Sequence, residues 1–188
     1  MKLALGTVLT VFLLALNATT ALAAAPVVDQ PLSVLAIDDK GELTLEGDDV
    51  TYQPWRSDSH AGNVHVIQYL AATQSASEIY KPFTDRLETE VEPGAIQVTS
   101  VINLKAALWG TSGFVLSEVK KNKRKYPDST MVMDKDGAGT KTWELGKKGS
   151  ALIILDADGN VRFVATQALT DTQLDEAIAL VKSLAGNG

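Results

Sequence analysis

The chain has 188 residues, 45% of them hydrophobic, and a formal net charge of -6. A chain of this size can bury a core without disulfides or metals, and its acidic balance excludes general nucleic-acid binding, which needs a basic field against phosphates. It contains no cysteine, so it has no thiolate of its own for disulfide exchange, nucleophilic attack or metal ligation.

The N-terminus reads as a secretory signal. Met1-Lys2 is a positive start, Leu3 to Leu16 an apolar run and Asn17 to Ala23 a small, polar stretch. Ala21-Leu22-Ala23 fits the small-x-small rule, so cleavage is expected after Ala23, with Ala25 as the alternative. The apolar run is short for a membrane span. The expected organisation is a signal peptide over 1–23 and one soluble, exported domain over 24–188.

Beyond an extended lead-in, Leu32 to Ile37 reads as a strand, Asp38-Asp39-Lys40-Gly41 as a turn and Glu42 to Leu45 as the returning strand. Glu46 to Asp49 reads as an acidic turn, and Val50 to Trp55 as a further short strand closed by Pro54. Val64 to Leu70 is nearly continuously apolar, as a central buried strand should be. A helix is expected from about Ser75 or Ser77. It carries Ile79, Phe83 and Leu87 on one stripe, with Pro82 inside that stripe as a kink. Ala95 to Asn103 is a second buried strand. The glycine-rich loop Trp109-Gly110-Thr111-Ser112-Gly113 precedes a helix running to about Lys125. Met131 to Met133 is a short strand, and Asp134 to Gly137 a turn. Ala151 to Leu155 and Val161 to Ala165 form a hairpin around Asp156 to Asn160. Thr170-x-x-Gln173 opens a last helix as a capping box. From Val64 the order is β-α-β-α and then β-β-α. That order implies parallel strands joined by helical crossovers, closed by an antiparallel hairpin.

This order resembles thioredoxin. Val66 to Ser77 is where redox-active members run from a strand into Cys-x-x-Cys, and Pro82 matches the proline five residues after their second cysteine. Gln74 and Ser77 therefore stand at the two cysteine positions. Counting back from Ile154 to Gly159, Ser150 stands where those members place a cis-proline. The mature chain also resembles the YtfJ family of Gram-negative bacteria. The residues carrying this are Gly41 to Leu43, Tyr52 to Trp55, Val64 to Ala71, Gly110 to Val115, Tyr126-Pro127, Asp134 to Gly137 with Trp143, and Ala151 to Gly159. The resemblance implies a periplasmic, thioredoxin-like protein of undetermined function: an α/β fold with a mixed central β-sheet flanked by helices and an extra N-terminal β-hairpin. It supplies no catalytic residues.

The switch loop Gln74-Ser75-Ala76-Ser77 has two readings. Free N–H groups at a helix start could hold a carboxylate, a phosphate or a peptide carbonyl; more plainly, Ser75 or Ser77 caps the helix. Neither His60 nor His65 lies at that end of its strand, which argues against a serine–histidine catalytic pair and a zinc site. Asp134-x-Asp136-Gly137 and Asp156-x-Asp158-Gly159 lack the twelfth-position glutamate of a calcium loop and read as hairpin turns. Lys120 to Lys125 is a basic run read as a solvated helix end. Over residues 101–150 ten basic residues face five acidic ones, against four and thirteen over 24–100. Neither residues nor resemblance ask for a cofactor or metal. The expected function is a binding or adaptor module using the former active-site edge, with Gln74, Ser75, Ser77, Asn103, Trp109, Ser112 and Ser150 as candidates. Its expected partner is a periplasmic protein or a small anionic ligand. The alternatives are non-thiol enzyme chemistry at that edge, or a structural role in an envelope complex.

Overall fold

The computed structural model describes residues 23–59, 62–146 and 149–186. Most of the segment expected to be a signal peptide, up to residue 22, and His60 lie outside the described residues. The β-rich runs form β1 (Ala36–Glu46), β2 (Asp49–Arg56), β3 (His65–Ala71), β4 (Gln97–Asn103), β5 (Thr130–Asp134), β6 (Ala151–Leu155) and β7 (Val161–Ala165). They make one sheet in the order β2-β1-β5-β4-β3-β6-β7. β3, β4 and β5 run parallel; every other pairing is antiparallel. Six of the seven β3 residues are buried, which fits its continuous apolar sequence.

The helices are α1 (Gln74–Ser77), α2 (Lys81–Glu90), α3 (Ser112–Lys125), α4 (Ala138–Thr142) and α5 (Asp171–Ala185). Ile67, Tyr69, Val101, Val132 and Ile153 pack with Trp143, Leu35, Ile37 and Trp55 on one side of the sheet. On the other, Val66, Leu152 and Ile154 meet Phe83 and Leu87 of α2 and Ala177, Ile178 and Val181 of α5, while Val119 of α3 packs with Met133 and Leu43. The Thr170 capping box of α5 is present, with Thr170 Oγ1 accepting from the Gln173 amide.

Three local readings are corrected. The N-terminal hairpin turns within the acidic stretch Glu46 to Asp49, as expected, but Asp38 to Gly41 is not a turn, because β1 runs straight through that tetrapeptide. There the register with β2 jumps between Ile37↔Trp55 and Glu42↔Gln53. The extra residues are taken up as a bulge opposite Pro54, which has no N–H to give to a ladder. Gly41 has φ +64, and a side chain there would collide with the Gln53 carbonyl. Second, Pro82 does not kink a long helix. The segment is broken into the four-residue α1 and a separate α2, and Pro82 lies in the first turn of α2. In a first turn the missing N–H costs nothing and the fixed φ favours helix. Third, Asp134 to Gly137 is not a hairpin turn. It joins β5 to α4, a helix without apolar periodicity in its sequence.

Candidate functional site

β3, β4 and β5 end in register at Ala71, Asn103 and Asp134. In open α/β sheets this carboxyl edge is where loops gather and ligands bind. The segments leaving it are α1, the 3-10 turn Leu104–Ala106 leading to α3, and α4.

Asp134 is 1% exposed. Its Oδ2 accepts from the Tyr69 hydroxyl at 2.7 Å and the Gly139 amide at 2.9 Å, and its Oδ1 accepts from the Ala138 amide at 2.8 Å. The carboxylate thus holds the start of α4 over the Tyr69 ring, where any side chain at Gly139 would collide with that ring. Burial first, and then the Asp134 charge, push the Tyr69 phenol far above its usual range. Trp143 meets the same ring edge-on at 5.8 Å between centroids, and its Nε1 donates to the Ser33 carbonyl. Tyr69 and Asp134 were not singled out as site residues. Their signal lies in tertiary pairing across 65 positions, which local pattern does not carry.

Asn103 is 1% exposed, and neither its Oδ1 nor its Nδ2 has a hydrogen-bond partner among the described residues. A side chain on Gly137 would come within 3.3 Å of Asn103 Oδ1 and of the Lys105 stem. A buried amide of this kind is ordinarily hydrogen-bonded, which makes this corner the polar point of the edge to probe. Ser150, across from it, is occupied: its Oγ accepts from the Ala71 amide at 3.2 Å and ties β6 to the end of β3.

The switch loop is ordered differently from the expected cap. Thr73, not Ser75 or Ser77, caps α1, with Oγ1 accepting from the Ala76 amide. Ser77 Oγ donates to the Gln74 carbonyl at 2.8 Å, and Ser75 Oγ lies 3.4 Å from Thr73 Oγ1. Gln74, Ser75 and Ser77 are all exposed. Four residues align too few peptide dipoles to make a strong anion site. Ser75 instead lines a groove of about 330 Å³ with Glu78, Ile79, Pro82, Phe83 and Leu169. Tyr80, also at this groove, donates to the Ala165 carbonyl, and burial pushes its phenol up to about 12.

Trp109 and Ser112 sit beyond β4 and are exposed, Trp109 fully. No hydrogen bond or ring contact among the described residues joins them to Gln74, Ser75 or Ser77. The candidates therefore divide into an α1 groove, a buried Asn103 corner with Ser150 beside it, and an outlying tip. His65 shares a 2.8 Å hydrogen bond with Thr99 Oγ1, buried at the other end of β3. The basic run is not simply solvated: Lys123 is buried and donates to the Pro127 and Ser129 carbonyls, and Arg124 donates to the Asp48 carbonyl.

The mixed seven-stranded sheet with this parallel centre defines a thioredoxin-like protein. Similar solved structures include a Bacteroides thetaiotaomicron protein assigned as a disulfide isomerase, at TM-score 0.57 and 10% identity, covering 89% of this chain and 95% of that one. A Chromobacterium violaceum thiol peroxidase matches at TM-score 0.57 and 11% identity, covering 90% and 93%. At such identities the likeness concerns the fold alone. Residues 27–184 match the family described as bacterial protein of unknown function (YtfJ_HI0045), and the chain belongs to this YtfJ family. An uncharacterized Haemophilus influenzae protein is 36% identical over 157 residues, 83% of this chain and 85% of that one. The uncharacterized Escherichia coli protein YtfJ is 31% identical over 156 residues, 82% and 85%.

Proposed function

We propose that this chain is a periplasmic, non-redox binding module that holds a segment of another protein in the groove beside α1. The groove itself carries the reading. Its volume of about 330 Å³ is at the lower end of ligand clefts, enough for one or two apolar side chains. Ile79, Pro82, Phe83 and Leu169 supply an apolar lining, and Ser75 and Glu78 supply polar groups for a backbone. Glu78 and the shortness of α1 weigh against a small anion. The non-redox part rests on the absence of cysteine, with Gln74 and Ser77 at the cysteine positions. Non-thiol catalysis is less supported, since the Ser77 hydroxyl is bonded to a backbone carbonyl and the nearest partner of Ser75 is the Thr73 hydroxyl.

The periplasmic location rests on the leader over 1–23. Mass spectrometry of the chain from a periplasmic extract should find an N-terminus at Ala24 or Pro26. The groove is tested by placing a photo-crosslinking amino acid at Ser75 or Leu169 in the native bacterium, with Arg162 as the control position. Discrete adducts with an envelope protein from both groove positions, and none from the control, are the expected result. Equal or absent adducts at all three positions refute the groove.

A further inference from the structure

We propose that the tip formed by Leu108, Trp109 and the first turn of α3 docks on an anionic lipid bilayer. The proposal is independent of the α1 groove. Among the described residues six large apolar side chains are exposed; three of them, Leu108, Trp109 and Phe114, lie within seven residues at the start of α3, and Tyr126 lies at its far end. Trp109 is 100% exposed, Phe114 71% and Leu108 62%. A cluster of this kind in water marks an interaction surface.

The display is fixed by the backbone. Thr111 closes the turn twice, its amide donating to the Leu108 carbonyl at 3.0 Å and its Oγ1 to the same carbonyl at 2.8 Å. Gly110, at φ +80, makes the reversal. The tip is convex: a side chain added at Gly110 or Gly113 would meet nothing within 4 Å. A protruding, preorganised tryptophan suits a soft surface, where its ring enters the acyl boundary and its N–H stays among headgroups.

Charge identifies which surface. At 3.6 residues per turn, Phe114, Lys121 and Lys125 fall within about 40° of one another around α3, and all three are exposed. Lys105, in the 3-10 turn before the tip, is exposed as well. Lys123 and Arg124 are bonded into the fold and half-buried Lys120 lies over the Tyr52 ring, so Lys105, Lys121 and Lys125 are the exposed lysines of this stretch, with Lys121 3.9 Å from Glu118 and Lys125 over the Tyr126 ring. From Leu104 to Tyr126, the 3-10 turn through the end of α3, six basic residues stand against one acidic, Glu118, in a chain of net charge -6. An anionic bilayer would attract this face and repel the acidic remainder, which fixes the orientation of docking.

The test uses the processed protein purified from periplasmic extract and vesicles of phosphatidylcholine, with and without phosphatidylglycerol. Trp55 and Trp143 are 2% and 0% exposed, so a change in tryptophan emission on adding vesicles reports Trp109. Sedimentation with phosphatidylglycerol vesicles and a blue shift of emission are expected. Trp109→Ala should abolish the shift, and Trp109→Phe should retain sedimentation. Lys121→Glu with Lys125→Glu should weaken binding at least about twenty-five-fold, at about fivefold for each lysine charge lost. Circular dichroism melts of these surface variants should match the parent. No sedimentation, equal sedimentation with both vesicle types, or unchanged binding by Trp109→Ala overturns the proposal. A blue shift that grows with protein concentration in the absence of lipid also overturns it and assigns the tip to a second copy of the chain.

Discussion

Asp134 ends β5 with its carboxylate out of water, satisfied by one phenol and two amides. Replacing it with alanine leaves three donors without an acceptor, two of them buried, and each buried one costs about 1–3 kcal/mol before relaxation. Asp134→Ala should lower stability by about 3 kcal/mol or more in urea melts, whereas Asp136→Ala, two residues on and exposed, should change it by less than about 0.5 kcal/mol. The two buried phenols set an alkaline limit. Tyr69 and Tyr80 are both raised above the ordinary 10.0, Tyr69 by burial and the Asp134 charge, Tyr80 by burial to about 12. A raised folded-state value means that folding favours the neutral phenol. Its contribution is whole below pH 10.0 and is lost as the unfolded chain ionises above it. Urea midpoints should be level between about pH 8 and about pH 9.5 and fall beyond about pH 10, with a shallower fall in Tyr80→Phe. A midpoint level through about pH 11 contradicts this. At this scale the sequence exposes the candidates and hides their state. Asp134 precedes Asp136-Gly137 and reads as a turn, because nothing local says that its side chain is buried under α4. Asn103 is recognisable as the polar end of a strand, while its unpaired amide is a property of the packing.

The segment from Gln74 to Glu90 shows what periodicity can and cannot carry. Ile79, Phe83 and Leu87 do share one packing face, as their four-residue spacing requires. The break between α1 and α2 is invisible to that spacing, since the stripe continues through it. Pro82 is compatible with either a kinked helix or a new start, and here it makes a start. Pro82→Ala should therefore change stability by less than about 1 kcal/mol, because a first-turn N–H gains no intrahelical acceptor and only the loss of a preset φ remains. A loss of about 1–3 kcal/mol is what a load-carrying kink would give; finding it in denaturant melts would argue for a continuous helix. The sheet is the most readable part. β-rich runs mark β2 to β7, whereas β1 is hidden by its Asp38 to Gly41 centre, which reads as a turn; the hairpin around Asp156 to Asn160 follows its turn residues. α4 is unreadable for a physical reason. Its Ala138 to Thr142 sequence contains a glycine and no apolar stripe, and it is held by the Asp134 carboxylate rather than by helix propensity.

The thioredoxin-like frame is kept while the groups that make it reductive are gone. Gln74 and Ser77 hold α1 through backbone contacts, and Ser150 holds the end of β3. The fold alone does not specify a task, and what remains distinctive is surface: an apolar groove beside α1 and an exposed aromatic tip before α3. Purified protein should not reduce insulin disulfides above the buffer rate, since no thiol is available; turnover above that rate would show chemistry independent of cysteine. The central claim is that the α1 groove holds a protein segment. Its most direct measurement is a calorimetric titration of the segment captured by the Ser75 crosslinker, made as a synthetic peptide, into the parent protein and into Leu169→Arg. A charged side chain in the apolar lining should weaken the Kd at least about tenfold at a temperature where both proteins remain folded, since Leu169 is half-buried against the core and its replacement also lowers melting. An equal Kd for the two proteins would contradict the account.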